Sequence, residues 1–283
     1  MDFTKRVPDT YFNVIKNGGR IETISYPSVN YQKDLEPVTK SALVYLPNEY
    51  DAFPDKEYKV LYLMHGGGGS EREFIHGQDE HFDLLHIIDN MMAEGDVEPM
   101  IIVTPSFYYT AFQSSEHSIQ EAGELTSVFH QEFRNALVPY IDSHFRTVAD
   151  RSHRAFGGFS MGGVTTWRIL ENCLDLVEHF MPLSGDSWII EEKGGSTFPE
   201  KTSEMLKKAI EKNGNSSLRY NIFAATGNQD IAFPALDAQI KTMFADNWNT
   251  DPSSLRYFTW EEGTHCYQYI NQYIYNILPV LFI

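Results

Sequence analysis

The ten residues Arg154-Ala155-Phe156-Gly157-Gly158-Phe159-Ser160-Met161-Gly162-Gly163 constrain this chain more than any other stretch. An apolar run ends at Phe159, and Val164-Thr165-Thr166-Trp167-Arg168-Ile169-Leu170 has the spacing of a helix directly afterwards. Strand must become helix within a residue or two, and Ser160 stands at the break. Gly158 and Gly162 bracket it as G-x-S-x-G, the spacing of a nucleophile elbow. In such an elbow the serine backbone is strained, and small residues two positions away let strand and helix approach without clashing. Serine and glycine are common enough for the bare pattern to arise by chance. The elbow therefore rests on the strand before it and the helix after it.

The remainder of the chain supplies the sheet that an elbow needs. A Gly18-Gly19 turn, a short strand over 20–26, a polar link and a second strand over 41–47 predict an antiparallel entry. Lys59-Val60-Leu61-Tyr62-Leu63-Met64 is a continuous apolar run of the kind found in central strands, and it runs into His65-Gly66-Gly67-Gly68-Gly69. A helix over 82–93 carries Leu84, Leu85, Ile87, Ile88, Met91 and Met92 on one stripe. A strand over 100–104, a loop of about twenty residues and a long helix over 124–145 lead to the elbow. Strands over 179–184, 220–227 and 256–260 then alternate with helices over 201–212, 235–244 and 267–281, while 186–199 and 250–254 are excursions. This alternation predicts an α/β fold, a mostly parallel central sheet with helices on both faces.

With 283 residues, 42% of them hydrophobic, the chain can bury one large core, and a single domain over 1–283 is expected. A net charge of -17 argues against a nucleic-acid or anionic-membrane surface, which requires clustered Lys and Arg; solubility is the simplest role for it. Cys173 and Cys266 are too few for a disulfide framework and are expected to be free thiols. No run approaches the roughly 18 apolar residues of a membrane span, and the N-terminus has no apolar signal core. A soluble protein is expected; if exported, its signal has already been removed. His76, His81 and His86 lack the helical spacing of a zinc pair, so no metal or cofactor is expected.

A serine hydroxyl becomes a nucleophile when a histidine takes its proton and an acid orients that histidine, here in the chain order serine, acid, histidine. Downstream of Ser160 the histidines are His179, inside a strand, and His265, in the turn Glu261-Glu262-Gly263-Thr264-His265 at a strand end where ligands collect. His265 is the expected base. For the acid, Asp230 lies three residues past Gly227, at the end of the strand before the histidine's own. Asp186 and Asp237 are its rivals, the latter on a helix face. The oxyanion needs preorganised N–H donors: Met161 after the serine, and a glycine of the 66–69 run, with Gly67 favoured and Gly66 or Gly68 as alternatives. The glycines could instead form only a flexible turn; no Gly-Lys-Ser/Thr follows to make a phosphate loop. Tyr108, Tyr109 and Phe112 either line an aromatic pocket or anchor their loop.

With these residues placed, the sequence resembles the feruloyl esterase domains of bacterial cellulosomal xylanases, in the esterase D-like branch of the α/β-hydrolases and carbohydrate esterase family 1. The likeness is densest at 62–68, 156–163, 181–188, 223–227 with Asp230, and 263–265. It implies an α/β-hydrolase fold, a triad of Ser160, Asp230 and His265, and Asp186 and Trp188 beside the substrate pocket. It also implies release of ferulate or a related hydroxycinnamate from feruloylated arabinoxylan or small aromatic esters, in an exported plant-polysaccharide-degrading system or in the cytoplasm. The branch includes acetylxylan esterases, thioesterases and acyltransferases as well. A non-catalytic carbohydrate-binding module is the rival from another class, and the intact Ser, Asp and His in order speak against it.

Overall fold

The computed structural model describes residues 3, 5–75, 84–109, 118–213, 217–248 and 254–283. Its frame is one eight-stranded sheet. In chain order the strands are β1 (Arg20–Asn30), β2 (Glu36–Leu46), β3 (Lys59–Met64), β4 (Met100–Pro105), β5 (Arg154–Phe159), β6 (His179–Leu183), β7 (Asn221–Gly227) and β8 (Ser254–Trp260). Across the sheet they run β1-β2-β4-β3-β5-β6-β7-β8. The pairs from β4 to β8 are parallel, and the β1–β2 hairpin joins antiparallel to β4.

β3 to β7 are buried almost without alternation because helices cover both their faces. Successive side chains point to opposite faces, so Val60, Tyr62 and Met64 join one core and Leu61 and Leu63 the other. On the first face lie α2 (Ile119–Glu132), α3 (Val138–His144), α4 (Met161–Cys173), α6 (Pro199–Lys212) and α7 (Phe233–Ala245); on the second lie α1 (Leu84–Glu94) and α8 (Tyr267–Ile277). From β3 the chain crosses to β4 on one side, whereas from β5 it proceeds through β6, β7 and β8 on the other. The C-terminal ends of β3 and β5 thus flank a topological switch point, where open α/β sheets bind ligands. The glycine run leaves one end and the elbow leaves the other.

Three expectations are revised. The entry hairpin is longer than its apolar runs: the stretch expected as a polar link is mostly paired, with Pro27 opposite Thr39 and Asn30 opposite Glu36. Its outer part is largely exposed, so it lacks the hydrophobic signature of a strand. The helix expected over 124–145 starts at Ile119, where the Ser118 side chain accepts from the Glu121 N–H, and it contains a π turn at Phe133–Leu137. The excursion at 186–199 contains the short helix α5 (Gly194–Thr197).

One charged pair lies inside the first core. Lys40 of β2 is 3% exposed; its Nζ donates to the carbonyls of Ser106 (2.8 Å) and Tyr108, and stands 3.5 Å from Glu132, which also accepts from the Tyr26 hydroxyl. A buried charge must be paired and hydrogen-bonded, and this one is anchored to the loop after β4. No described helix is long and apolar enough to cross a membrane.

Candidate active site

Ser160 is the break between β5 and α4, with φ 55° and ψ −114°. This left-handed conformation is costly for a residue with a Cβ and persists because the surroundings fix it: the Ser160 N–H donates to the Leu183 carbonyl at 2.9 Å. The flanking glycines answer to sterics. A Cβ on Gly162 would lie 2.0 Å from the Met64 carbonyl oxygen, and one on Gly158 would lie 2.6 Å from the same atom. The end of β3 therefore presses directly on the elbow.

The turns after β7 and β8 are packed together in the same way. Gly227 and Gly263 meet backbone to backbone, and the Gln229 N–H donates to the Gly263 carbonyl at 3.0 Å. This contact sets Asp230 beside His265. His265 Nδ1 lies 2.6 Å from Asp230 Oδ1, and Nε2 lies 2.9 Å from Ser160 Oγ. With its proton on Nδ1, the imidazole donates to the carboxylate and accepts from the serine hydroxyl. Asp230 Oδ1 also accepts from the Ala232 N–H at 2.8 Å, and its side chain is fully buried. The Phe159 ring, 4.5 Å away, packs against the imidazole.

The other histidine and the two rival acids make no bond to His265. His179 is buried in β6, bonded to the Ser152 carbonyl and pushed down to about 4 by burial. Asp237 pairs with Lys241 and the Tyr257 hydroxyl on α7. Asp186 lines the cavity beside the elbow, but it accepts from Trp188 Nε1 (3.2 Å) and the Gly195 N–H (2.9 Å), not from His265. Burial pushes its carboxyl up to about 6, against the pull of those two bonds.

Among the glycine-run amides, Gly66 N–H donates to the Tyr267 hydroxyl (3.2 Å), Gly68 N–H to the Tyr108 hydroxyl (3.0 Å) and Gly69 N–H to the Gly66 carbonyl (3.1 Å). Gly67 N–H has no acceptor among the described residues. A Cβ on Gly67 would lie 3.0 Å from Met161 Cγ, so this amide neighbours Met161, whose own N–H at the first position of α4 has no intrahelical acceptor. His65 holds the run in place: it is 1% exposed, its Nδ1–H donates to the Gly66 carbonyl, and its Nε2 accepts from the Ser106 hydroxyl. Burial pushes it down to about 4, which keeps it neutral. Neither its clamp nor that of Tyr267 was read from the sequence; the only signal was a histidine directly before four glycines.

A cavity of about 370 Å³ opens over Ser160, Met161 and His265. Gly67, Gly68 and Tyr108 line it together with Val164, Trp188 and Ala235, and Ile119 and Ile231 add apolar side chains that are 66% and 76% exposed. The two isoleucines were not singled out in the sequence. Tyr109 is instead a loop anchor, its hydroxyl accepting from the Tyr31 N–H and its ring facing Lys40. Phe112, His76 and His81 lie outside the described residues, whereas His86 belongs to α1. Among the described residues no three His, Cys, Asp or Glu side chains could share a metal ion.

A mostly parallel sheet with a strained serine, a buried carboxylate and a histidine after the C-terminal ends of β5, β7 and β8 has the architecture of the α/β-hydrolase class. The chain belongs to the family described as "Putative esterase", whose match covers residues 39–230. It is 38% identical to Endo-1,4-beta-xylanase Y of Acetivibrio thermocellus over 291 residues, which is 97% of this chain and 24% of the relative. It is 31% identical to the Endo-1,4-beta-xylanase/feruloyl esterase of Xylanibacter ruminicola over 180 residues, 62% of this chain and 23% of the relative. The chain thus spans about a quarter of the length of these curated relatives. A solved structure of a serine-to-alanine mutant of the feruloyl esterase module from Clostridium thermocellum, complexed with sinapinate, superposes with a TM-score of 0.82 at 36% identity, covering 99% of this chain and 93% of that one. The ferulic acid esterase of Anaeromyces mucronatus in complex with ferulic acid, at 18% identity and a TM-score of 0.73 over 100% of this chain and 97% of that one, shares the fold.

Proposed function

We propose that this chain is a single catalytic domain that hydrolyses hydroxycinnamoyl esters, foremost feruloyl esters of plant arabinoxylan, through an acyl-enzyme on Ser160. The observation that carries the reading is the hydrogen-bonded chain Ser160–His265–Asp230 beneath a cavity walled by Trp188 and Tyr108. As Ser160 Oγ attacks the ester carbonyl, His265 Nε2 takes its proton and the buried Asp230 carboxylate stabilises the imidazolium. The N–H groups of Gly67 and Met161 receive the oxyanion. Collapse breaks the bond to the alcohol oxygen, which leaves with the proton from His265. Water then attacks the acyl-enzyme, His265 again accepting a proton, and the hydroxycinnamate departs as Ser160 is regenerated. Every step is served by the chain's own side chains and amides. The names of the relatives support a xylan setting.

Trp188 supports the aromatic acyl group. Asp186 fixes its indole N–H, so the ring is oriented before substrate arrives. Burying one face of a planar phenolic acid contributes about 2–3 kcal/mol, or roughly 30- to 150-fold in kcat/KM over an acetyl ester. Methyl ferulate, acetylated xylan and a short p-nitrophenyl ester assayed side by side test the acyl group. Ser160→Ala should lower kcat by on the order of 10⁶-fold, and Trp188→Ala should reduce feruloyl turnover far more than acetyl turnover. Near-normal turnover by the serine variant would end the acyl-enzyme reading. Faster wild-type turnover of acetylated xylan than of methyl ferulate would transfer it to acetyl esters.

A further inference from the structure

An ester has two arms, and the site has two cavities. The second, of about 180 Å³, meets the first at Ser160, His265, Gly67 and Gly68 and extends along the glycine run to Gly66 and Gly69, bounded by Phe159, Glu73 and Tyr267. The larger holds the indole, Tyr108 and the apolar wall, and so suits a flat acyl group. Once an acyl ring fills it, the alcohol arm leaves over His265, which must deliver its proton to the departing oxygen. The smaller cavity lies there.

Its polar groups are fixed in advance. Ser70 accepts the Arg72 N–H on its hydroxyl and the Glu73 N–H on its carbonyl, which closes a tight turn. Burial pushes the pKa of the Glu73 carboxyl up, and the Ser70 backbone beside it acts in the opposite sense. A carboxylate has several lone-pair sites to offer to donors. The Tyr267 hydroxyl accepts from Gly66 N–H and keeps its own proton to donate, burial holding the phenol in its protonated form. The Phe159 and Tyr267 rings meet edge to face, with centroids 4.9 Å apart, and present apolar surface beside these two groups. An anionic acceptor, a phenolic donor and an aromatic wall together match the hydroxyls and C–H face of a sugar.

We infer that this smaller cavity is the subsite for a sugar alcohol arm of the ester, in which the Glu73 carboxylate accepts hydrogen bonds from the sugar hydroxyls. This rests on the esterase reading above and adds the leaving group to it. The competing account is that Glu73 only braces its turn. Glu73→Gln keeps the length of the side chain and one acceptor oxygen while removing the charge, and leaves the Glu73 N–H bond to the Ser70 carbonyl in place.

The test compares two substrates with one acyl group, methyl ferulate and a feruloyl ester of arabinofuranose, on the full chain. The acyl-enzyme is common to both, so kcat/KM reports the acylation step in which the alcohols differ. Wild type should favour the sugar ester, and in Glu73→Gln the ratio of the two kcat/KM values should fall about tenfold, the scale of one hydrogen bond to a charged group. A ratio that is the same in variant and wild type would overturn the inference, whether both activities hold or both fall. Wild type inactive on methyl ferulate would count against the esterase reading itself, so the two failures are distinct.

Discussion

Asp186 and Asp230 are two buried carboxylates beside one cavity, and their partners separate their roles. Asp230 spends one oxygen on His265 and the Ala232 amide, so an amide in its place would favour the wrong imidazole tautomer. Asp230→Asn should lower kcat by about 10⁴-fold. Asp186→Asn should instead raise KM for aromatic esters, because it loosens the bonds to Trp188 and Gly195. Steady-state kinetics of both variants on methyl ferulate decide it, and the reverse ranking would exchange their assignments. The structure brings together Ser160, His265 and Asp230, which chain order and strand-end position singled out from few candidates. Gly67 needed more: only with hydrogen bonds in view are Gly66 and Gly68 occupied, by phenols from distant segments. Spacing in sequence carries no record of a tyrosine reaching an amide 201 positions away.

Legibility also varied among the elements, and burial explains the pattern. β3, β5 and β7 are covered on both faces, so hydrophobic selection acts on every residue and leaves an unbroken apolar run. The outer half of the β1–β2 hairpin is held by backbone bonds between largely exposed residues, and such bonds place little demand on side-chain type. Lys40 misleads further, since a lysine within a strand suggests solvent whereas here it is sealed against Glu132. The π turn at Phe133–Leu137 has no residue signature of its own; Phe133 and Leu137 are as buried as the helical positions around them. Helix existence was therefore readable, but not the extra residue accommodated inside the turn.

At the scale of the whole molecule, two buried histidines make stability depend on pH. His65 and His179 are both pushed from 6.5 down to about 4, so between those limits the unfolded chain binds protons that the folded chain refuses. Their contribution is complete above pH 6.5 and is lost as pH falls toward 4. Asp186, raised from 3.8 to about 6, acts oppositely over that interval, its folded carboxyl taking up a proton first. Burial raises Glu73, Asp89, Glu132 and Glu171 in the same sense, while it lowers His130 together with the other two histidines. Urea titrations at pH 7 and pH 4.5 isolate one histidine: the difference in stability between them, pH 7 minus pH 4.5, should be about 2–3 kcal/mol smaller in His179→Gln than in the parent chain. An unchanged difference would remove His179 from the account. Sheet order has a separate consequence. Ser160 and the glycine run rise from the middle, whereas His265 hangs from β8, a partly exposed margin paired among the described strands only with β7. Margins of this kind fray at lower free energy than the centre. Catalysis should accordingly fail at lower urea than far-UV circular dichroism does, and coincident midpoints would show that the margin opens only with the whole. Where they separate, the chain passes through a form that keeps its folded middle but has let go of His265.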